Sequence, residues 1–253
     1  MKFVAINIFS DNFSYLFYND EEAFCVDPAE PLYIIDALSK SFDKIFYHKD
    51  EISSLPNISK PRKLVYSFTT HEHPDHAIGD DVIQNKIPSS IHKSLYKNTF
   101  KDNETVSMTE GTTITCLDTP GHTFYSACFY VQDISGLSYI LTGDTIFFLG
   151  CGKIFTENPE KMVSSLDRIV ETVKPDTLFL YGHNYNKTNV KFTEKVFKKV
   201  PENIQNKTFL TLKEEIEFNP FLNLSKCLPK GTKVDKMIYL RKMKDEFNRE
   251  QNK

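Results

Sequence analysis

Short apolar runs broken by turn residues open the chain. Val4 to Phe9, Tyr15 to Tyr18 and Ala23 to Val26 read as three strands, with Ser10-Asp11-Asn12 and Asn19-Asp20-Glu21-Glu22 as the turns between them. Asp27-Pro28 stops the third run. The period then changes: in Pro31 to Leu38 the apolar residues Leu32, Ile35 and Leu38 fall on one helical face behind an early proline. Further strands are predicted at Lys44 to Tyr47, at Leu64 to Phe68, on both sides of Glu110-Gly111 within Thr105 to Leu117, at Cys128 to Val131, at Tyr139 to Leu141 and at Leu178 to Tyr181. Helices are predicted from His76 through Ile83 and from Met162 to Val173, the latter ending before Pro175. From about residue 186 the strand signals stop. Val190 to Val200, Leu210 to Phe218 and Val234 to Phe247 show helical spacing in Lys-rich surroundings. The pattern predicts an α/β body over residues 1–185 and a helical C-terminal extension over residues 186–253.

Composition adds limits to that picture. The chain has 253 residues, 40% of them hydrophobic, enough for a large core. A net charge of −3 gives no bulk attraction to nucleic acid or an anionic membrane. The first residues read as a strand rather than a leader, and no run is long enough to span a bilayer, so a cytoplasmic protein is expected. Cys25, Cys116, Cys128, Cys151 and Cys227 are odd in number and widely spaced, without a C-x-x-C. Reduced thiols follow, and neither a disulfide framework nor a thiolate metal site.

The candidate chemistry lies in His71-Glu72-His73-Pro74-Asp75-His76, directly after a predicted strand. In extended backbone His71 and His73 point to one side and can grip one ion. Asp75 and His76, beyond the proline, diverge and suit a second. His122 in Pro120-Gly121-His122, Asp144 in Gly143-Asp144 and His183 in Gly182-His183 also stand at turns after strands. Singly each would read as a turn or cap residue. Together they gather five of the seven histidines into one pattern; His48 and His92 stay outside it. His71, His73 and His122 are assigned to one ion. Asp75, His76 and His183 are assigned to the other, with Asp144 between. Imidazole and carboxylate donors accept zinc, with iron and manganese as alternatives. Two divalent ions close together lower the pKa of bound water and polarise a carbonyl, which is metal-assisted hydrolysis with Asp75 placed to manage the proton. A metal-stabilised binding module is the competing class.

The order HxHxDH, Pro-Gly-His, Gly-Asp, Gly-His resembles the metallo-β-lactamase superfamily, which implies a four-layered αββα sandwich. Three more segments resemble its hydroxyacylglutathione hydrolase (glyoxalase II) family: Asp144-Thr145-Ile146-Phe147-Phe148 with Gly150-Cys151-Gly152-Lys153; Leu212-Lys213-Glu214-Glu215 with Asn219-Pro220-Phe221; and Arg241 to Phe247 as R-x-x-K-D-x-F. Asp11-Asn12 and Val26-Asp27-Pro28 match as well. The resemblance implies a monomeric thioester hydrolase that cleaves S-lactoylglutathione to glutathione and D-lactate, the second step of methylglyoxal detoxification. It implies substrate contacts at Lys153, Phe155, Tyr185, Arg241 and Lys244. Glutathione persulfide dioxygenase is the neighbouring activity to weigh against it. The chain departs from the family pattern at Phe155 (often Tyr), Asn184 (Glu), Asn186 (Thr), Tyr125 (Gly) and Ala77-Ile78-Gly79-Asp80, which lacks one glycine of a pair. No departure removes a candidate metal ligand.

Overall fold

Alternation in the first strand divides the molecule into layers. In the computed structural model, which describes residues 1–251, β1 (Lys2–Ile8) sends Val4, Ile6 and Ile8 to one side and Phe3 and Ala5 to the other. The two sets enter two separate hydrophobic clusters, as a strand covered on both faces requires.

The first half of the chain runs β1, β2 (Asn12–Tyr18), β3 (Glu22–Val26), α1 (Pro31–Ala37), β4 (Phe46–His48), α2 (Lys49–Ile52), β5 (Lys63–Phe68), α3 (Pro74–Ala77), α4 (Asp80–Lys86) and β6 (Ile91–Lys93). These strands form a six-stranded sheet in the order β4-β1-β2-β3-β5-β6. Ile34 and Ala37 of α1, Ile52 of α2 and Ile83 of α4 cover its outer face. The second half adds β7 (Thr105–Ser107), β8 (Thr113–Asp118), β9 (Ala127–Gln132), β10 (Ser138–Gly143), a small hairpin β11 (Ile146–Phe147) and β12 (Gly150–Cys151), α5 (Pro159–Thr172) and β13 (Leu178–Tyr181). The second sheet has the order β13-β10-β9-β8-β7.

Between the sheets lies the larger core. Phe17 stacks on Phe24 at 4.7 Å, and Phe68 meets Phe129 of the other sheet at 5.1 Å. Met162, Leu166 and Ile169 of α5 join this core beside the second sheet, whose β9 is buried along nearly its whole length. The result is the expected four-layered αββα sandwich. The chain ends in α6 (Asn186–Val196), α7 (Glu202–Gln205), α8 (Leu212–Phe218), α9 (Leu224–Cys227) and α10 (Lys233–Gln251). Among the described residues no helix is long and apolar enough to cross a membrane.

Two local expectations change. The helix read from His76 through Ile83 is two helices, α3 and α4, with Gly79 packed against Pro28 between them. A Cβ there would lie 1.8 Å from the Pro28 carbonyl oxygen, so the backbones are pressed together. The helix read from Val190 begins at Asn186, whose side-chain amide donates to the Lys207 and Thr208 carbonyls and so ties the first turn down.

Candidate metal centre and substrate cleft

Four strand ends deliver the predicted ligands to one place. His71, His73, Asp75 and His76 follow β5 and occupy the loop and α3; His122 follows β8, Asp144 follows β10 and His183 follows β13. A backbone bond from Ala127 N–H to the Thr70 carbonyl (2.8 Å) and another from Phe13 N–H to the Gly182 carbonyl (2.8 Å) lock the two sheets together around the site. Gly182 is needed for close approach: a Cβ there would lie 2.5 Å from Asp144 Oδ1 and 2.9 Å from His76 Cε1.

The side chains form three overlapping triplets whose donor atoms lie within 4.8 Å of one another: His71, His73 and His122; His71, His76 and Asp144; Asp75, His76 and His183. His73 Nδ1 is 3.0 Å from both His71 Nε2 and His122 Nε2. On the other side His76 Nε2 is 3.3 Å from His183 Nε2 and 3.7 Å from Asp75 Oδ2. Asp144 stands between: Oδ2 is 3.4 Å from His122 Nε2, and Oδ1 is 3.3 Å and 3.5 Å from His76 and His183. Oδ1 is buried and accepts no hydrogen bond. A buried acceptor without a donor, ringed by converging imidazole nitrogens, is the chemistry of a cation site.

The far edges of the rings explain why the near edges converge. His183 Nδ1 lies 2.7 Å from Asp11 Oδ1, His76 Nδ1 2.8 Å from Asp27 Oδ2, and His122 Nδ1 2.8 Å from the Lys153 carbonyl oxygen. His71 Nδ1 lies 3.1 Å from the Thr70 hydroxyl, which donates to Asp27 Oδ2 at 2.8 Å. An acceptor on the outer nitrogen holds the proton there and leaves the inner lone pair facing the cluster. Asn12 donates to Asp75 Oδ2 at 3.0 Å and fixes that carboxylate.

Sequence reading missed these positioning roles. Asp11, Asn12 and Asp27 sit in turns, where such residues ordinarily cap the backbone. Only the resemblance in Asp11-Asn12 and Val26-Asp27-Pro28 marked them at all. Asp27 has a φ of 51°, which turns its carboxylate back over the loop.

Electrostatics follow from burial and partners. Burial pushes the His71 imidazole well below its usual pKa, and the His76 charge adds to that. Burial also opposes a charge on His76, while the Asp144 and Asp27 carboxylates favour a cation there, a place that a metal ion at Nε2 would take from the proton. The hydrogen bond from His183 holds Asp75 well below the ordinary carboxylate range, so it stays ionised.

A cleft of about 580 Å³ leads from this cluster along α10. Lys153, Phe155, Tyr185, Arg241 and Lys244 all line it. Phe155 stands edge-on to His73 and His122, at 5.4 and 5.3 Å. Tyr185 stacks on His183 at 4.9 Å. Arg241 donates to the Cys151 carbonyl and to Asp245 Oδ1, both at 2.8 Å. Lys244 is buried with no acceptor. Of the departures, Tyr125 is exposed and Asn184 donates its backbone N–H to the Asp11 carbonyl at 2.8 Å.

The segment around Glu215 and Asn219 lies outside the cleft and buttresses its wall. Glu215 Oε1 accepts from Leu149 N–H at 3.2 Å and from the Tyr181 hydroxyl at 2.6 Å. Asn219 donates to the Gly150 carbonyl at 3.0 Å, and Asn189 to the Phe148 carbonyl at 2.8 Å. The β11–β12 hairpin is thereby fixed from behind.

No family model matches the chain. A protein of Encephalitozoon cuniculi named probable hydroxyacylglutathione hydrolase is 42% identical over 250 residues, which is 95% of each chain. Among solved structures, ETHE1 from Myxococcus xanthus superposes with a TM-score of 0.65 at 19% identity, over 96% of this chain and 90% of the other. A metallo-β-lactamase from Staphylococcus aureus gives 0.60 at 18% identity, over 94% of this chain and 65% of the other. At such identities the structures speak to the fold, which is that of the metallo-β-lactamases. That fold and the His/Asp cluster together mark a binuclear divalent-metal centre.

Proposed function

Because the chain belongs to the hydroxyacylglutathione hydrolase family, we propose that it hydrolyses S-(2-hydroxyacyl)glutathione, S-lactoylglutathione in the first instance, to glutathione and D-lactate. The observation that carries this reading is the pair of triplets joined through Asp144 at the head of a cleft whose far wall is cationic.

His71, His73 and His122 would hold one ion and Asp75, His76 and His183 the other, with Asp144 reaching both. Zinc is the expected metal, and the donor set also suits iron and manganese. When bound, such ions supply water of lowered pKa and a Lewis acid for a carbonyl oxygen. The chain does the rest. Asp75, ionised and anchored by Asn12, orients an attacking water. Phe155 and Tyr185, on opposite flanks of the histidines, exclude water from around the thioester. Arg241, Lys244 and Lys153 attract the carboxylates of the glutathione part. The leaving thiolate has a thiol pKa near 8.5, so its departure needs no strong acid.

Residues 1–185 form the proposed catalytic domain and residues 186–253 the proposed substrate-binding domain. A monomer working in the cytoplasm, with no nucleic-acid or membrane partner, completes the reading. The name carried by the relatives supports hydrolysis over persulfide dioxygenation.

Asp75→Asn separates an enzyme from a metal-stabilised binding module. The variant is expected to lose at least about a hundredfold in kcat while retaining at least one equivalent of metal and its fold by circular dichroism. Unchanged turnover would overturn the assignment of Asp75 to the chemistry.

A further inference from the structure

Resting on the hydrolase reading, we propose that Asn248 is a specificity residue for the carrier thiol: its side-chain oxygen accepts an N–H of the carrier next to the carboxylate that Lys244 binds.

The cleft end remote from the histidines is built by one face of α10. Arg241, Lys244 and Asn248 recur there at spacings of three and four, and all line the cleft. Arg241 spends its terminal nitrogens on the Cys151 carbonyl and on Asp245. Its Nε is buried and has no acceptor. Lys244 Nζ is buried and has no acceptor either; it lies over the rings of Phe192 and Phe247, at 5.0 and 5.4 Å. One turn further on, Asn248 Oδ1 is buried and has no donor.

Three polar atoms without partners on one helix face, in one cleft, are exceptional, because buried polar groups are nearly always bonded. Their types specify the missing partner. Two donors call for an anion, and the lone acceptor calls for an N–H. A carboxylate alone satisfies Arg241 and Lys244 and leaves Asn248 unpaired. A group that carries a carboxylate and an N–H within one amino-acid unit satisfies all three. The tripeptide carrier has such a unit at each end: the glycyl amide with its carboxylate, and the γ-glutamyl ammonium with its carboxylate. Both share the chemistry that the cleft requires.

The test compares three thioesters on the metal-loaded full chain: S-lactoylglutathione, S-lactoyl-γ-glutamylcysteine and S-lactoyl-N-acetylcysteinylglycine, whose blocked nitrogen cannot take over the acyl group. The proteins are the wild type, Asn248→Ala and Asn248→Leu. Loss of one hydrogen bond from a buried acceptor is expected to raise KM for S-lactoylglutathione about tenfold in both variants. The kcat should be kept, which also reports an intact fold. If the glycyl end docks here, the variants and wild type share one KM for S-lactoyl-γ-glutamylcysteine. If the γ-glutamyl end docks here, they share one KM for S-lactoyl-N-acetylcysteinylglycine. Either result supports the proposal. It is overturned if the wild type turns over S-lactoylglutathione and the variants leave KM unchanged, or raise it equally for all three thioesters. Hydrolysis of none of the three by the wild type removes the parent reading, and this inference with it.

Discussion

Lys244 is a side chain whose charge the fold alters within the working range of pH. Burial is the main cause, and the neighbouring Arg241 adds to it; together they lower its pKa to about 7. Below that value the ammonium is present to attract a carboxylate, and above it the free protein presents a neutral amine. Binding an anion draws the proton back, so affinity falls as pH rises through about 7. The KM for S-lactoylglutathione is therefore expected to climb several-fold between pH 6.5 and 8.5 relative to a Lys244→Arg variant, whose guanidinium stays charged throughout. The comparison cancels ionisations at the metal centre, which the two proteins share. Parallel KM profiles would show that Lys244 does not bind the substrate's anion. Phe155 makes a different contribution at this scale. In place of the tyrosine that the resemblance leads one to expect, it sets an apolar ring against His73 and His122 and offers no hydroxyl to the substrate.

At the scale of elements, α8 acts on the site without touching it. Glu215, fully buried, bonds the Tyr181 hydroxyl of β13, the Leu149 N–H and Asn219. Burial raises its pKa from 4.5 to about 7, against the lowering effect of those three donors. The sign follows from linkage. A folded-state value above the unfolded one means the native state holds the proton more tightly. Stability is thus full below about pH 4.5 and is lost as pH rises to 7, by about 3 kcal/mol in total. Glu215→Gln removes that slope. The difference in denaturant midpoint between variant and wild type is expected to move in favour of the variant between pH 5 and pH 8. Parallel midpoints across that interval would contradict it.

The same element shows what a sequence can reveal and what it withholds. His71, His73, His76, His122 and His183 were legible because histidine is scarce and each follows a strand-like run. Their division into two groups joined by Asp144 could be argued from spacing and ligand number. The resemblance marked the segment of Glu215, but its burial was not legible, since a glutamate in a polar helical run reads as a solvated face. Only the docking of α8 against β13 makes it a buried strut. Asp27 and Asp11 were hidden for a related reason. A carboxylate after a strand reads as a cap, and its contact with a ring 49 or 172 residues away is a property of the assembled sheets. The packing of Gly79 against Pro28 of another loop is likewise a property of the assembled chain.

For the molecule as a whole, the two sheets work as a frame that holds seven donors at their ends, and the C-terminal helices close the cleft beside them. Metal binding and structural integrity are linked in this design, because Asp144 Oδ1 is buried without a donor and the imidazole nitrogens crowd around it. The central claim is a two-ion hydrolase acting on a glutathione thioester. It is tested most directly by stripping the protein with a chelator and following S-lactoylglutathione hydrolysis as zinc is added back in counted equivalents. Activity is expected to be absent from the stripped protein and to reach its plateau at two equivalents per chain. A plateau at one equivalent, or no thioester cleavage with both equivalents bound, would contradict the account.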